Sequence, residues 1–256
     1  MTIFEFKDLR KNLGSWTEDT LDRLIREAAV IQSTGQRIKF LSSFFLGLGY
    51  KEATLTGDCR TAEIFTVDLS GVDCFTFLDY IEAMRLSDSY EEFLKKLRRV
   101  RYCHNRISFL NRKHFFTDWS CCGHPTVSDV TKQIWGRKVR SRLKTLNLRA
   151  DGTLLLPGLT PARRRIDYLS AEEIGDPEIA ALKTGDYAGI YSALQGLDVS
   201  HVGIVIRKTK RVYLRHASAN KKYRKVIDQE LRAYIKGKAG LIILRPSDFG
   251  KINFRA

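Results

Sequence analysis

The chain has no run approaching the roughly 18 uncharged apolar residues that a membrane span needs. Its longest apolar stretch, residues 40–50, is too short, so no transmembrane segment is expected. No C-x-x-C pair occurs among Cys59, Cys74, Cys103, Cys121 and Cys122, which argues against a zinc ribbon or a thioredoxin-like site. An odd cysteine count leaves at least one thiol free if the others pair, a state that suits a reducing or an oxidising compartment. Internal repeats and low-complexity tracts are missing, which excludes solenoids. The opening Met-Thr-Ile-Phe-Glu-Phe-Lys-Asp lacks the basic and apolar regions of a secretory signal. On that reading the protein either does not use that route or is seen here after a leader has been removed. Acidic residues are also scarce, 29 against 44 lysines and arginines, for a net charge of +15. Such a balance favours anionic partners. The basic clusters at 95–101, 137–149, 163–165, 207–211 and 221–225 carry no nucleic-acid recognition motif, so no specific nucleic acid is expected. Anionic envelope polymers or membrane surfaces are the other option.

What is present is a core. With 256 residues, 43% of them hydrophobic, the chain can fold as one large domain or two small ones. Its organising stretch is residues 72–81, Val-Asp-Cys-Phe-Thr-Phe-Leu-Asp-Tyr-Ile. Cys74, Phe77, Leu78, Ile81 and Met84 recur at helical spacing, and Asp73 is placed to cap the first turn. Cys74 then sits where free backbone N–H groups and the helix dipole favour a thiolate, and where the same amides can stabilise an oxyanion. A lone cysteine on an apolar helix face is ordinarily core packing; a partner base is what makes it a nucleophile.

Other elements are legible around it. Thr17-Glu18-Asp19-Thr20 predicts an N-cap for a helix through Leu21, Leu24, Ile25 and Ala28 that ends near Ser33-Thr34-Gly35. A second helix is expected from about residue 36 to Gly47, a strand at 64–67, and a third helix at 89–101 capped by Ser89. Residues 102–119 read as a loop-rich segment bordering a cleft, followed by a mixed basic segment with a strand at 152–156. A turn feeding a strand is expected at 182–191, a stretch entering another strand at 196–206, and a return strand at 211–218.

In the stretch 196–206, alternation puts His201, Gly203 and Val205 on one face of the strand and Val202, Ile204 and Ile206 on the other. A four-residue loop at 207–210 would pair Ile206 with Arg211 and set His201 directly opposite His216, close enough for a hydrogen bond between rings. A slip of one residue would put them on opposite faces. The loop has no Asn-Gly to fix that register. Cysteine at a helix start, histidine on a strand and a second ring to orient it make a papain-like set. His201 would act as imidazolium beside a Cys74 thiolate, with His216 fixing its tautomer.

These residues resemble the NlpC family of bacterial cell-wall cysteine peptidases: Asp73-Cys74 opening a helix, then His201-Val202-Gly203-Ile204, then His216-Ala217-Ser218. The stretches 45–50, 72–77, 112–119, 196–201 and 214–218 resemble the N-acetylmuramoyl-L-alanine amidase-like branch in particular. The resemblance runs from about Thr17 to Pro246. It implies an α+β fold with a papain-like core, N-terminal helices packed on an antiparallel sheet. One domain would span 1–256, with a helical and loop-rich insertion at about 88–170. It also implies metal-free, cofactor-free hydrolysis of the amide between the muramic acid lactyl group and L-alanine in peptidoglycan fragments, with Cys74, His201 and His216 as catalytic residues. Tyr50, Asp73, Arg112, Asp118, Asp198 and Ser200 fall in the family's motifs and would line the substrate groove. Asp79 stands where glutamate is expected, and Cys103 and Cys121-Cys122 are unusual. An endopeptidase cutting between D-glutamate and the diamino acid, and a non-enzymatic polyanion-binding protein, are the alternative readings. A peptidoglycan substrate favours the periplasm or envelope.

Overall fold

The computed structural model describes residues 9–123, 125–209 and 211–248. Among these residues the longer helices come first: α1 (Glu18–Ala29), α2 (Thr34–Ser43), α3 (Cys74–Arg85) and α4 (Tyr90–Arg101). Short helices follow, α5 (Asp118–Cys121), α6 (Thr131–Trp135), α7 (Asp176–Ala180) and α8 (Leu231–Ile235). The strands are β1 (Leu9–Asn12), β2 (Phe65–Asp68), β3 (Val127–Asp129), β4 (Arg140–Leu146) and β5 (Ala162–Ser170). They continue with β6 (Tyr187–Tyr191), β7 (Val199–Lys208), β8 (Arg211–Ala217), β9 (Val226–Glu230) and β10 (Gly240–Pro246). β1 and β2 form a small parallel pair; the main sheet is antiparallel, ordered β4-β5-β10-β6-β7-β8-β9, with β3 added against β10. The architecture is α+β, helices packed on an antiparallel sheet.

Local chemistry explains the helix starts. Thr17 and Thr20 form a capping box on α1, Asp73 and Thr76 form one on α3, and Ser89 caps α4. Two expected boundaries shift. Ser33, read as lying at the end of α1, instead caps α2 by accepting from the Gln36 amide, because a serine after a helix serves equally well before one. α2 then stops at Ser43, short of Gly47, whose φ of +89° places it in the turn beyond.

The strand expected at 152–156 does not form. That segment keeps one isolated antiparallel bridge, Leu154 with Leu148, beyond which the side chain of buried Asn147 donates to the carbonyls of Leu156 and Leu159 and accepts from the Leu156 amide. Strands occur instead at β4 and β5, where arginines and lysines on exposed positions hide the alternation. The 88–170 segment therefore holds α4 but also contributes β3, β4 and β5 to the main sheet, more than a helical and loop-rich insertion.

The sheet separates two apolar clusters. Val202, Ile204, Ile206, Ile242 and Leu244 face α1 to α4, while Val205, Leu214, Leu241 and Ile243 face α8 and the residues around α6. α3 lies in the centre of the first cluster, and every residue from Thr76 to Arg85 is buried. Its polar side chains are accordingly paired inside the protein. Glu82 holds Arg85 through two hydrogen bonds of 2.5 and 2.6 Å and accepts another from the Tyr187 hydroxyl at 2.7 Å. Asp79 accepts from Arg101 Nε at 2.8 Å, tying α3 to α4.

A buried pair stripped of one charge leaves the other stranded. Glu82→Gln is expected to lose about 3–5 kcal/mol of unfolding free energy, measured by urea titration at neutral pH. A loss below about 1 kcal/mol would mean that this pair does not anchor α3.

Candidate active site

β7 and β8 meet in a register two residues away from the expected one: Lys208 faces Arg211 and Ile204 faces Arg215. His201 is therefore not directly opposite His216. The charged side chains of Arg207 and Lys208, exposed at the end of β7, let the ladder run further toward the turn than a polar-loop reading allows. A slip of two preserves faces where a slip of one would reverse them. The rings consequently still meet, on the diagonal, with His201 Nε2 2.7 Å from His216 Nδ1 and the ring planes at 89°.

The paired β7–β8 ladder stops at Ile204–Arg215, although β7 runs back to Val199 and β8 on to Ala217. On the other side of β7, Ile190 faces His201 but Tyr191 faces Val199, so Ser200 is the extra residue of a bulge. These irregularities release backbone groups at the end of β7. The start of α3 meets them: the backbone amides of Val202, Cys74 and Phe75 lie near enough to the Cys74 sulfur to favour its thiolate form. The thiol thus lies near the residue that follows His201. Asp73 accepts from the Phe75 and Thr76 amides at 2.9 and 2.7 Å, as an N-cap should.

The charge state differs from the expected thiolate–imidazolium pair. Burial, reinforced by the Asp73 carboxylate, pushes the Cys74 thiol up to about 12. Burial, with His216 and Lys238 nearby, pulls His201 down to about 3. The amides around the sulfur act in the opposite direction but are outweighed by desolvation. At neutral pH the site holds a thiol and a neutral imidazole. Burial also lowers His216 from its ordinary value.

Gln229, which the sequence reading passed over, fixes the tautomers. Its Oε1 lies 2.8 Å from His216 Nε2 and can only accept, so that nitrogen carries the proton. Neutral His216 then offers the Nδ1 lone pair, His201 Nε2–H donates to it, and His201 Nδ1 is left unprotonated. Gln229 lies on β9 opposite Leu214, two residues from His216 on the same side of β8. Reading 226–230 as a third strand of the meander would have found it. Tyr234 of α8 also escaped notice; its ring packs 4.8 Å from His216 and 6.1 Å from His201. Burial and the nearby Cys74 hold its hydroxyl protonated, at about 12.

The other expected site residues divide into groups. Tyr50 bridges to Val72, and burial together with Cys74 and Asp73 raises its hydroxyl to about 12, so it is a donor beside the thiol. Ser200 is exposed at the bulge, its hydroxyl 3.4 Å from the Ile190 carbonyl. Asp198 is 1% exposed and accepts from the Thr117 amide and hydroxyl, which docks the 114–119 loop on β7 rather than opening onto a groove. Asp118 accepts from the His114 and Phe115 amides and pairs with Arg164. Arg112 is held by both oxygens of Glu63 at 3.0 Å and, with Asp73, lines a cavity beside the start of α3. Cys103 and Cys122 form a disulfide, leaving Cys59, Cys74 and Cys121 free.

Helices packed on an antiparallel sheet define a protein of the α+β class, and its candidate site combines a thiol at the start of a buried helix with two hydrogen-bonded histidines on that sheet. The family can be stated more closely. Residues 40–241 match the AmiA-like family, described as N-acetylmuramoyl-L-alanine amidase-like, and the chain belongs to that family. The fold is similar to that of a Legionella pneumophila protein of family DUF1460, at 20% identity and a TM-score of 0.73 over 90% of this chain and 94% of that one. It is also similar to an N-acetylmuramoyl-L-alanine amidase from Bacteroides uniformis, at 22% identity and a TM-score of 0.71 over 84% and 99% of the two chains. No curated protein sequence matches the chain.

Two measurements follow from the neutral pair. In ¹⁵N imidazole spectra at pH 5, where an ordinary histidine is mostly protonated, His201 is expected to remain neutral. Iodoacetamide at pH 7 is expected to label exposed Cys59 before Cys74, as peptide mass spectrometry would read. Faster labelling of Cys74 would reinstate the ion pair.

Proposed function

We propose that the protein is a cysteine-dependent amidase that hydrolyses the bond between N-acetylmuramic acid and L-alanine in peptidoglycan fragments, through an NlpC-type, papain-like core within one domain. The observation that carries the reading is the direct His201–His216 hydrogen bond, with the Cys74 thiol near the Val202 amide that follows His201. Membership of the amidase-like family and the name of the Bacteroides uniformis relative supply the substrate class.

The mechanism starts from neutral partners. His201 Nδ1 takes the Cys74 proton as the sulfur attacks the lactyl carbonyl, so the charge pair forms only as the bond does. Backbone amides at the start of α3, that of Cys74 first, receive the developing oxyanion. The imidazolium then protonates the departing amine of L-alanine, leaving a thioester. A water molecule gives a proton to His201 and attacks the thioester, and the departing sulfur recovers the proton. His216 and Gln229 hold the tautomer that keeps Nδ1 available at each step, and Tyr50 offers a hydroxyl donor near the sulfur.

Digestion of purified muropeptides, read by mass spectrometry, tests this. The wild type is expected to release intact stem peptide and free sugar, and Cys74→Ala none; cleavage between D-glutamate and the diamino acid would replace the amidase by an endopeptidase. Unchanged release by Cys74→Ala would end the cysteine mechanism. Because a depressed imidazole pKa leaves the base unprotonated well below 6.5, kcat/KM is expected to hold at pH 5 and to fall only under more acid conditions. Gln229→Leu is expected to lower kcat about tenfold or more with little change in KM.

A further inference from the structure

His201 and His216 are held unequally. His216 has the Gln229 carbonyl at its Nε2 and His201 at its Nδ1, two bonds that fix the plane of its ring. Among the described residues, His201 makes a single side-chain hydrogen bond, the one of 2.7 Å to His216. One such bond sets a distance and a direction but leaves a ring free to twist about the N–H···N axis, and the χ2 torsion of histidine is itself soft. The two ring planes nonetheless stand at 89°, an arrangement that needs a contact with the His201 ring itself.

Tyr234 supplies that contact. Its ring centroid lies 6.1 Å from that of His201, tilted by 44°, and 4.8 Å from that of His216, tilted by 57°, so one side chain is in aromatic packing range of both. Helix α8 puts it there. Buried Leu231 and Ile235 anchor this helix on β8 and β9, the Glu230 carboxylate caps its start by accepting from the Ala233 amide, and Tyr234 is left half-buried. Gln229 lies five residues earlier, so one short segment grips His216 by a hydrogen bond and both rings by packing. The charged and titratable groups around the pair act through space. Lys238, in the turn after α8, opposes protonation of His201, while Asp228 on β9, paired with Arg215 and Lys208, favours that of His216. Cys74, at the start of α3, is a neutral thiol.

We propose that Tyr234 is a positioning residue of the site: its ring holds His201 in the perpendicular orientation that leaves Nδ1 free as a base, and keeps water from both imidazoles. An imidazole covered by an apolar ring cannot regain the solvation that its charged form needs, so the packing that orients the pair also keeps it neutral. The ring carries this role and the hydroxyl does not. The effect on turnover rests on the amidase reading; the effect on the imidazoles stands without it.

A pH series of ¹⁵N imidazole spectra on the full chain reads the effect directly. Tyr234→Ala, checked for native circular dichroism, is expected to raise the His201 titration midpoint by about one unit or more, because water then reaches the ring, while Tyr234→Phe leaves it in place. In muropeptide digestion, kcat is expected to fall about fivefold or more in Tyr234→Ala with little change in KM, and to stay within about twofold of wild type in Tyr234→Phe. Should Tyr234→Ala lose its native spectrum, Tyr234→Leu, which keeps bulk without the flat ring, is read in its place. An unmoved His201 midpoint in the folded alanine or leucine variant, or an equal shift in Tyr234→Phe, overturns the role of the ring. The two proposals fail separately: a raised midpoint with no hydrolysis by the wild type removes the amidase alone, and hydrolysis with an unmoved midpoint removes the positioning role alone.

Discussion

Helix α3 is buried on every side, and the rest of the molecule is arranged to allow this. A helix enclosed by other helices and a sheet can keep polar residues only if each is answered within the protein. Glu82 and Arg85 answer each other and draw in Tyr187 from β6; Asp79 draws in Arg101 from α4. The result is a helix with little freedom to shift, and its first residue is Cys74. A thiol at the tip of such a helix is positioned by the whole core rather than by a loop.

The same burial decides the chemistry at that tip. A helix start and three backbone amides favour a thiolate, yet removing a charge from water costs more than these dipoles return. The site therefore stores its reactivity as a proton waiting to move. Neutral His201, neutral His216 and the Gln229 carbonyl form a chain in which each hydrogen-bond direction follows from the next. The direction starts from Gln229, because an amide oxygen has no alternative to accepting. Charge develops only during the proposed reaction, inside a shell where amide dipoles already point at the sulfur.

Strand pairing contributes by ending early. β7 and β8 remain strands past the last ladder pair, which leaves the Val202 amide near the sulfur. The bulge at Ser200 and the Asp198–Thr117 contacts hold the far side of β7 while its near side is unpaired. Opening the sheet locally creates the space; closing it elsewhere supplies the rigidity.

The sequence by itself determined α1, α3 and α4 with their caps, the position of Cys74 on the first turn of α3, and the sharing of one face by His201 and His216. These follow from short-range rules: a cap acts over three residues, and a strand's period of two survives a two-residue error in register. It did not determine β4 and β5, whose arginines obscure the alternation, nor the refusal of 152–156 to form a strand, which rests on Asn147. Gln229, Tyr234 and the Cys103–Cys122 disulfide depend on contacts between distant segments and were equally silent. Above all, only the tertiary structure decided that thiol and imidazole are neutral, because desolvation is a property of everything packed around a group and has no counterpart in the order of residues along the chain.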